Sequence, residues 1–157
     1  MPVNTAKVQG RRKLDYASFD DLLADADGLS SGQVQPLGNW SAGQIFRHLA
    51  TVYVGSIDGF AMTFPLHIRL VARLFKKKLL AGSMPAGLKL PAQGSEELMP
   101  PPTSTEEGLA ELHAAVGRLQ RETTRAKHPV FGNLTNEEWT RLHLKHASLH
   151  MSFLVPA

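Results

Sequence analysis

The chain has 157 residues, of which 43% are hydrophobic and 20% charged, enough apolar material for one domain with a core and too little charge for a disordered chain. Its net charge of +3 is too small an excess to imply nucleic acid unless focused on one face. The absence of cysteine excludes disulfides, thiolate zinc sites and cysteine nucleophiles, so any metal must rest on histidine, carboxylate or water.

Residues 1–13 are polar and basic and read as a flexible N-terminal arm. Arg11-Arg12 has the look of a twin-arginine signal, but Asp15 falls where the apolar region belongs. No run is long and apolar enough to span a bilayer. The expected location is the cytoplasm, with no membrane or nucleic-acid partner.

Four segments open with Ser or Thr followed three residues later by an acid or amide, the spacing at which two side chains satisfy each other's exposed backbone N–H groups. Ser18 to Asp21 heads a helix to about Leu29, with Phe19, Leu22, Leu23, Ala26 and Leu29 on one side and Gly28 and Gly32 as its stop. Ser41 to Gln44 heads a second, to about Ala61, whose stripe is Ile45, His48, Leu49, Val52, Ser56 and Gly59. The small residues Gly55, Ser56 and Gly59 are expected to admit a close neighbour. Residues 65–80 read as an extra amphipathic helix with Leu66, Leu70 and Leu74 on one face and Arg69, Arg73, Lys76 and Lys77 on another. Residues 82–102, rich in Pro and Gly, read as an ordered loop or lid pinned by Leu88, Leu90, Leu98 and Met99. Thr103 to Glu106 heads a helix to about Arg125 that buries Leu109, Leu112, Val116 and Leu119. Thr135 to Glu138 heads the last, running through Trp139, Leu142, His146, Leu149 and Phe153. No segment alternates as a strand does. The expected fold is all-α, a four-helix up-down bundle with a long crossover between the second and third helices.

Seven histidines stand in this frame: His48, His67, His113, His128, His143, His146 and His150. His146 and His150, four residues apart, share one face of a helix and can share one ion. The wheel points His146 into the core, His150 into or just beside it, and His143 toward the stripe's edge. His48, flanked by Ile45, Leu49 and Val52, also faces inward. Three inward imidazoles could meet at one divalent metal and leave a position open for water. The plainer alternative is a set of hydrogen-bonded core histidines in a non-catalytic ligand- or partner-binding bundle.

The segment Asn39 to Leu49, with Trp40 and the His48-Leu49 pair, resembles the second-helix opening of DinB-like (YfiT-like) four-helix-bundle proteins. The His146-x-x-x-His150 helix resembles their terminal metal-binding motif. The pattern of His128 to Gly132, Glu138-Trp139 and His143 to Phe153 is similar to a branch of unassigned function. The resemblance implies one divalent ion (zinc, nickel or manganese) on His48, His146 and His150. It also implies a hydrolase or thiol-dependent transferase acting on a small molecule, often as a homodimer. DNA binding is not implied.

Other residues carry weaker signals. His128 reads as a shuttle at the site mouth or, more plainly, as a loop anchor with Phe131; His143 reads as a group beside the ligands or as a partly exposed histidine. His67 and His113 read as incidental, and Trp40 and Trp139 as helix-start and core anchors. Asp58 is off the His48 stripe and is not a natural fourth ligand. The ridge of Arg69, Arg73, Lys76 and Lys77 could attract an anion or a membrane surface, although such ridges are ordinarily solvated helix faces.

Overall fold

The computed structural model describes residues 1–90 and 93–157. Among these residues there are six α-helices, two short 3-10 turns and one two-stranded sheet. The helices are α1 (Phe19–Ser30), α2 (Ala42–Asp58), α3 (Leu66–Leu74), α4 (Lys76–Ala81), α5 (Thr105–Arg121) and α6 (Asn136–Met151). The strands are β1 (Val34–Pro36) and β2 (Leu154–Pro156). No helix among the described residues is long and apolar enough to cross a membrane.

The start signals set the long helices. Ser18 caps α1 by accepting from the Asp21 N–H. Ser41 with Gln44, and Thr135 with Glu138, form complete capping boxes at α2 and α6. At α5 the cap is Ser104, which accepts from the Glu107 N–H, one residue beyond the expected Thr103. That choice gives the helix two acids in its first turn, where they face the positive end of its dipole.

Four of the helices contribute to one core: Leu22 and Ala26 from α1, Ile45, Phe46, Leu49 and Tyr53 from α2, Leu112 and Val116 from α5, Ala147 and Met151 from α6. The tightest approach is between α2 and α5. A Cβ on Gly43 would stand 2.3 Å from the carbonyl oxygens of Thr103 and Ser104, and one on Gly108 would stand 2.3 Å from the Gly43 oxygen. Of the expected close approach at Gly55, Ser56 and Gly59, only Ser56 meets a neighbouring helix, its hydroxyl 2.9 Å from His143 Nε2 of α6. Gly55 faces the Phe60 ring, and Gly59 with φ +105° caps α2, which ends at Asp58 instead of the expected Ala61.

Several further expectations are corrected. The chain does contain strands: β1 and β2 pair antiparallel, Val34 with Pro156, Gln35 with Val155 and Pro36 with Leu154. Three-residue strands ending in proline are too short to display alternation. The helix expected over 65–80 is broken at Phe75 into α3 and α4. Its Leu66, Leu70 and Leu74 face outward, while Ala72 and Leu80 are buried. In α6 the buried seam is Trp139, His143, Leu144, Ala147 and Met151, with Leu142 only half-buried. Histidines mixed into the apolar face blur the helical period, and the true seam lies to one side of His146.

The crossover from 82 to 102 includes residues 91 and 92, which lie outside the described residues. Of its four expected anchors only Leu98 is buried; Leu88, Leu90 and Met99 are exposed. Polar ties hold its far end instead. Ala61 donates to Glu97, and the Gln44 amide donates to the Pro100 carbonyl. The N-terminal segment lies against the body. Arg12 forms a two-pronged pair with Asp25 at 2.8 and 2.9 Å and also donates to the Met151 carbonyl, and Arg11 sits over the Phe153 ring.

Candidate metal centre

Two capped helices position the three histidines. The Ser41–Gln44 box fixes the start of α2, and His48 stands in its second turn; the Thr135–Glu138 box fixes α6, and His146 and His150 fill its last two turns. The structure brings all three together, and their ligand nitrogens lie within 4.8 Å of one another, a group that could hold a metal ion. Nε2 of His146 is 3.3 Å from Nε2 of His48 and 3.0 Å from Nε2 of His150. Zinc–imidazole bonds of about 2.0–2.1 Å at tetrahedral angles put ligand nitrogens about 3.3–3.4 Å apart. The rings meet edge-on, at 63° for His48 with His146 and 88° for His146 with His150, so their nitrogens converge instead of their faces stacking.

The proton arrangement favours a cation. Nδ1 of His48 is 2.7 Å from the Leu98 carbonyl, and only an N–H can donate to that oxygen. The Nε2 of His48 is therefore a bare lone pair aimed at His146. A single proton on Nε2 of His146 can satisfy only one of its two neighbours, whereas a metal ion takes all three lone pairs. Nδ1 of His146 is buried with no hydrogen-bond partner among the described residues, so hydrogen bonding alone does not account for this ring. The all-imidazole donor set fits a borderline divalent metal such as zinc or nickel better than manganese, which prefers oxygen ligands.

Burial keeps these imidazoles neutral. His48 is pulled below its ordinary value by desolvation, against the opposing pull of the Leu98 carbonyl. His150 is pushed down to about 3 by burial and by His48. His146 is pushed well down by burial and by the neighbouring His150, His48 and His143. Neutral imidazole is the form that ligates a metal.

Trp40 walls this group. Its ring stacks on His150 at 5.5 Å and 16° and lies 4.8 Å from His48. Reading Trp40 as a helix-start anchor misses this contact, although its place directly before the Ser41 cap was the available signal. The Leu98 carbonyl is a backbone group and has no signature in sequence.

His143 and His128 are not part of the convergent group. His143 is buried, not partly exposed, and its Nε2 lies 2.9 Å from the Ser56 hydroxyl. It stacks on Trp139 at 5.2 Å and is pushed down to about 3, chiefly by burial. Nδ1 of His128 accepts from the Val130 and Phe131 N–H groups, and its ring packs on Phe131 and Trp139. Burial pushes His128 down to about 4. His113 pairs with Asp27 on the surface at 2.7 Å, and His67 is exposed. Asp58 is an exposed partner of Arg118, far from a ligand's role.

No curated protein and no solved structure matches the chain. A family model described as a protein of unknown function, DUF1569, matches residues 8–157. That span takes in every helix from α1 to α6, both strands and all three convergent histidines. The chain belongs to the DUF1569 family.

Proposed function

We propose that the chain is a metal-dependent enzyme of the DinB-like kind, a four-helix up-down bundle holding one divalent ion on His48, His146 and His150. The observation that carries this reading is the convergence of three Nε2 atoms at 3.3 and 3.0 Å around a histidine whose other nitrogen is buried and unpartnered. Three protein ligands leave a coordination position open, the arrangement of catalytic rather than structural zinc. The ion, when bound, supplies Lewis-acid activation of water or of a thiol cosubstrate.

The chain's own residues do the rest. The Leu98 carbonyl holds the His48 tautomer, so that Nε2 faces the site. Burial keeps the ligands unprotonated at neutral pH. Trp40 fixes two rings and excludes water from one side. The end of the crossover, from Glu96 to Pro100, lies against α2 beside His48 and roofs this side of the group.

The test is a screen of metal-reconstituted protein against ester, amide and thiol-transfer substrates beside a His146→Ala variant. The expected result is turnover that falls by about a hundredfold, about 2.7 kcal/mol of barrier, in the variant. Turnover equal in both proteins, or a stoichiometric metal with no exchangeable water, would assign the histidines to structure.

A further inference from the structure

α3 and α4 are placed in an unusual way for an amphipathic pair. Leu66, Leu70 and Leu74 recur every fourth residue and so line one face of α3, and that face points to solvent: Leu70 is 56% and Leu74 79% exposed. Phe75 and Leu79 extend the apolar surface onto α4. The opposite side meets the body through Ala72 and Leu80. A contiguous exposed apolar ridge of this kind marks an interaction surface.

The segment's own charge has one sign. From residue 59 to residue 95 there is no Asp or Glu, while Arg69, Arg73, Lys76, Lys77, Lys78 and Lys89 contribute six cations. Lys76 is occupied by Glu138 at 3.0 Å. Arg73, Lys77 and Lys78 make no ion pair among the described residues. The pair is also fixed to the body. Lys145 of α6 donates to the Leu80 and Gly82 carbonyls, capping the end of α4.

We propose that this ridge is a docking surface for an anionic lipid bilayer, with α3 and α4 lying in the headgroup layer. An apolar stripe flanked by long cationic side chains is the composition of an interfacial helix, the leucines entering the acyl boundary while the exposed Lys77 and Lys78 reach the phosphates. Two-fold pairing of the ridge with a second copy would set its cations against their own copies, so charge opposes that occupant. The expectation of no membrane partner rests on the lack of a spanning run and on reading the ridge as a solvated helix face; a surface contact needs no spanning run, and the six cations of this acid-free segment exceed the net excess of the whole chain.

The test is cosedimentation of the full chain with vesicles of phosphatidylcholine alone and of phosphatidylcholine containing phosphatidylglycerol, at low and high salt. The expected result is binding to the anionic vesicles only, weakened by salt as Debye screening requires. Each cation near an anionic surface adds about 1 kcal/mol, so Lys77→Gln with Lys78→Gln lowers the partition coefficient by at least about tenfold. Leu70→Gln with Leu74→Gln lowers it comparably. Both pairs change exposed side chains, and their melting curves are expected to match the parent, separating lost docking from lost folding. No binding to anionic vesicles overturns the proposal. So does binding to soluble polyglutamate that ignores the leucine pair, which would mark a polyanion site. A dimer in light scattering that the leucine pair dissociates, with vesicle binding unchanged, gives the ridge to a second copy and overturns it too.

Discussion

At the residue scale, the site depends on the nitrogens of three rings and on the groups that hold them. The four-residue spacing of His146 and His150 and the apolar neighbours of His48 were legible in sequence, because helical geometry alone puts them on defined faces. The wall and the tautomer lock were not, since Trp40 reaches the site from outside α2 and Leu98 acts through its carbonyl. Truncating Trp40 to Ala should loosen His150 and His48 and weaken metal binding by about tenfold, as removal of supporting groups around a metal site does; competition with a chromogenic chelator reads this directly. The buried histidines outside the site give a pH prediction. His143 titrates near 3 and His128 near 4 in the folded chain, both below the ordinary 6.5. Below pH 6.5 the unfolded chain therefore binds protons that the folded chain refuses. Their contribution to stability is complete above pH 6.5 and declines as the pH falls, approaching about 1.4 kcal/mol per pH unit for each histidine. Urea unfolding at pH 7 and pH 5 should show this loss, and equal midpoints would contradict it.

At the element scale, the helices that carry the ligands are specified by their caps. Replacing Thr135 with Ala removes an acceptor for the Glu138 N–H and should cost about 1 kcal/mol of stability, visible as a lowered melting temperature. The crossing of α2 and α5 rests on two glycines. At Gly108→Ala the new Cβ meets the Gly43 oxygen at 2.3 Å, and backbone on both sides cannot yield cheaply. A loss of about 2 kcal/mol or more is expected, and a neutral result by thermal melting would contradict the close packing. The start signals announced the long helices because capping is local chemistry. The glycine contact depends on how two helices cross, and the sheet on residues separated by more than a hundred positions, as Val34 is from Pro156. Neither leaves a periodic trace in the sequence.

At the scale of the whole molecule, β1 and β2 join a loop after α1 to the segment following α6, the helix of His146 and His150, and Arg12 ties the N-terminal segment to both α1 and the end of α6. Arg12→Ala leaves Asp25 without its guanidinium partner in a part-buried position, and a loss of about 2 kcal/mol is expected from charge-assisted hydrogen bonds of this kind. Chemical denaturation checks it. The amphipathic pattern of residues 65–80 was legible as a pattern, but a wheel shows which residues share a face and not whether that face turns inward. Only the packing of Ala72 and Leu80 against the body reveals that the leucines turn out.

Metal content tests the central claim most directly. Plasma mass spectrometry on untagged protein, and on the same protein after incubation with zinc, nickel and manganese, should give close to one ion per chain in the parent. The His146→Ala variant should show almost none, since it removes the nitrogen that lies nearest both others. No metal in the parent after reconstitution, or equal metal in the variant, would contradict the account and leave His48, His146 and His150 as packed core residues.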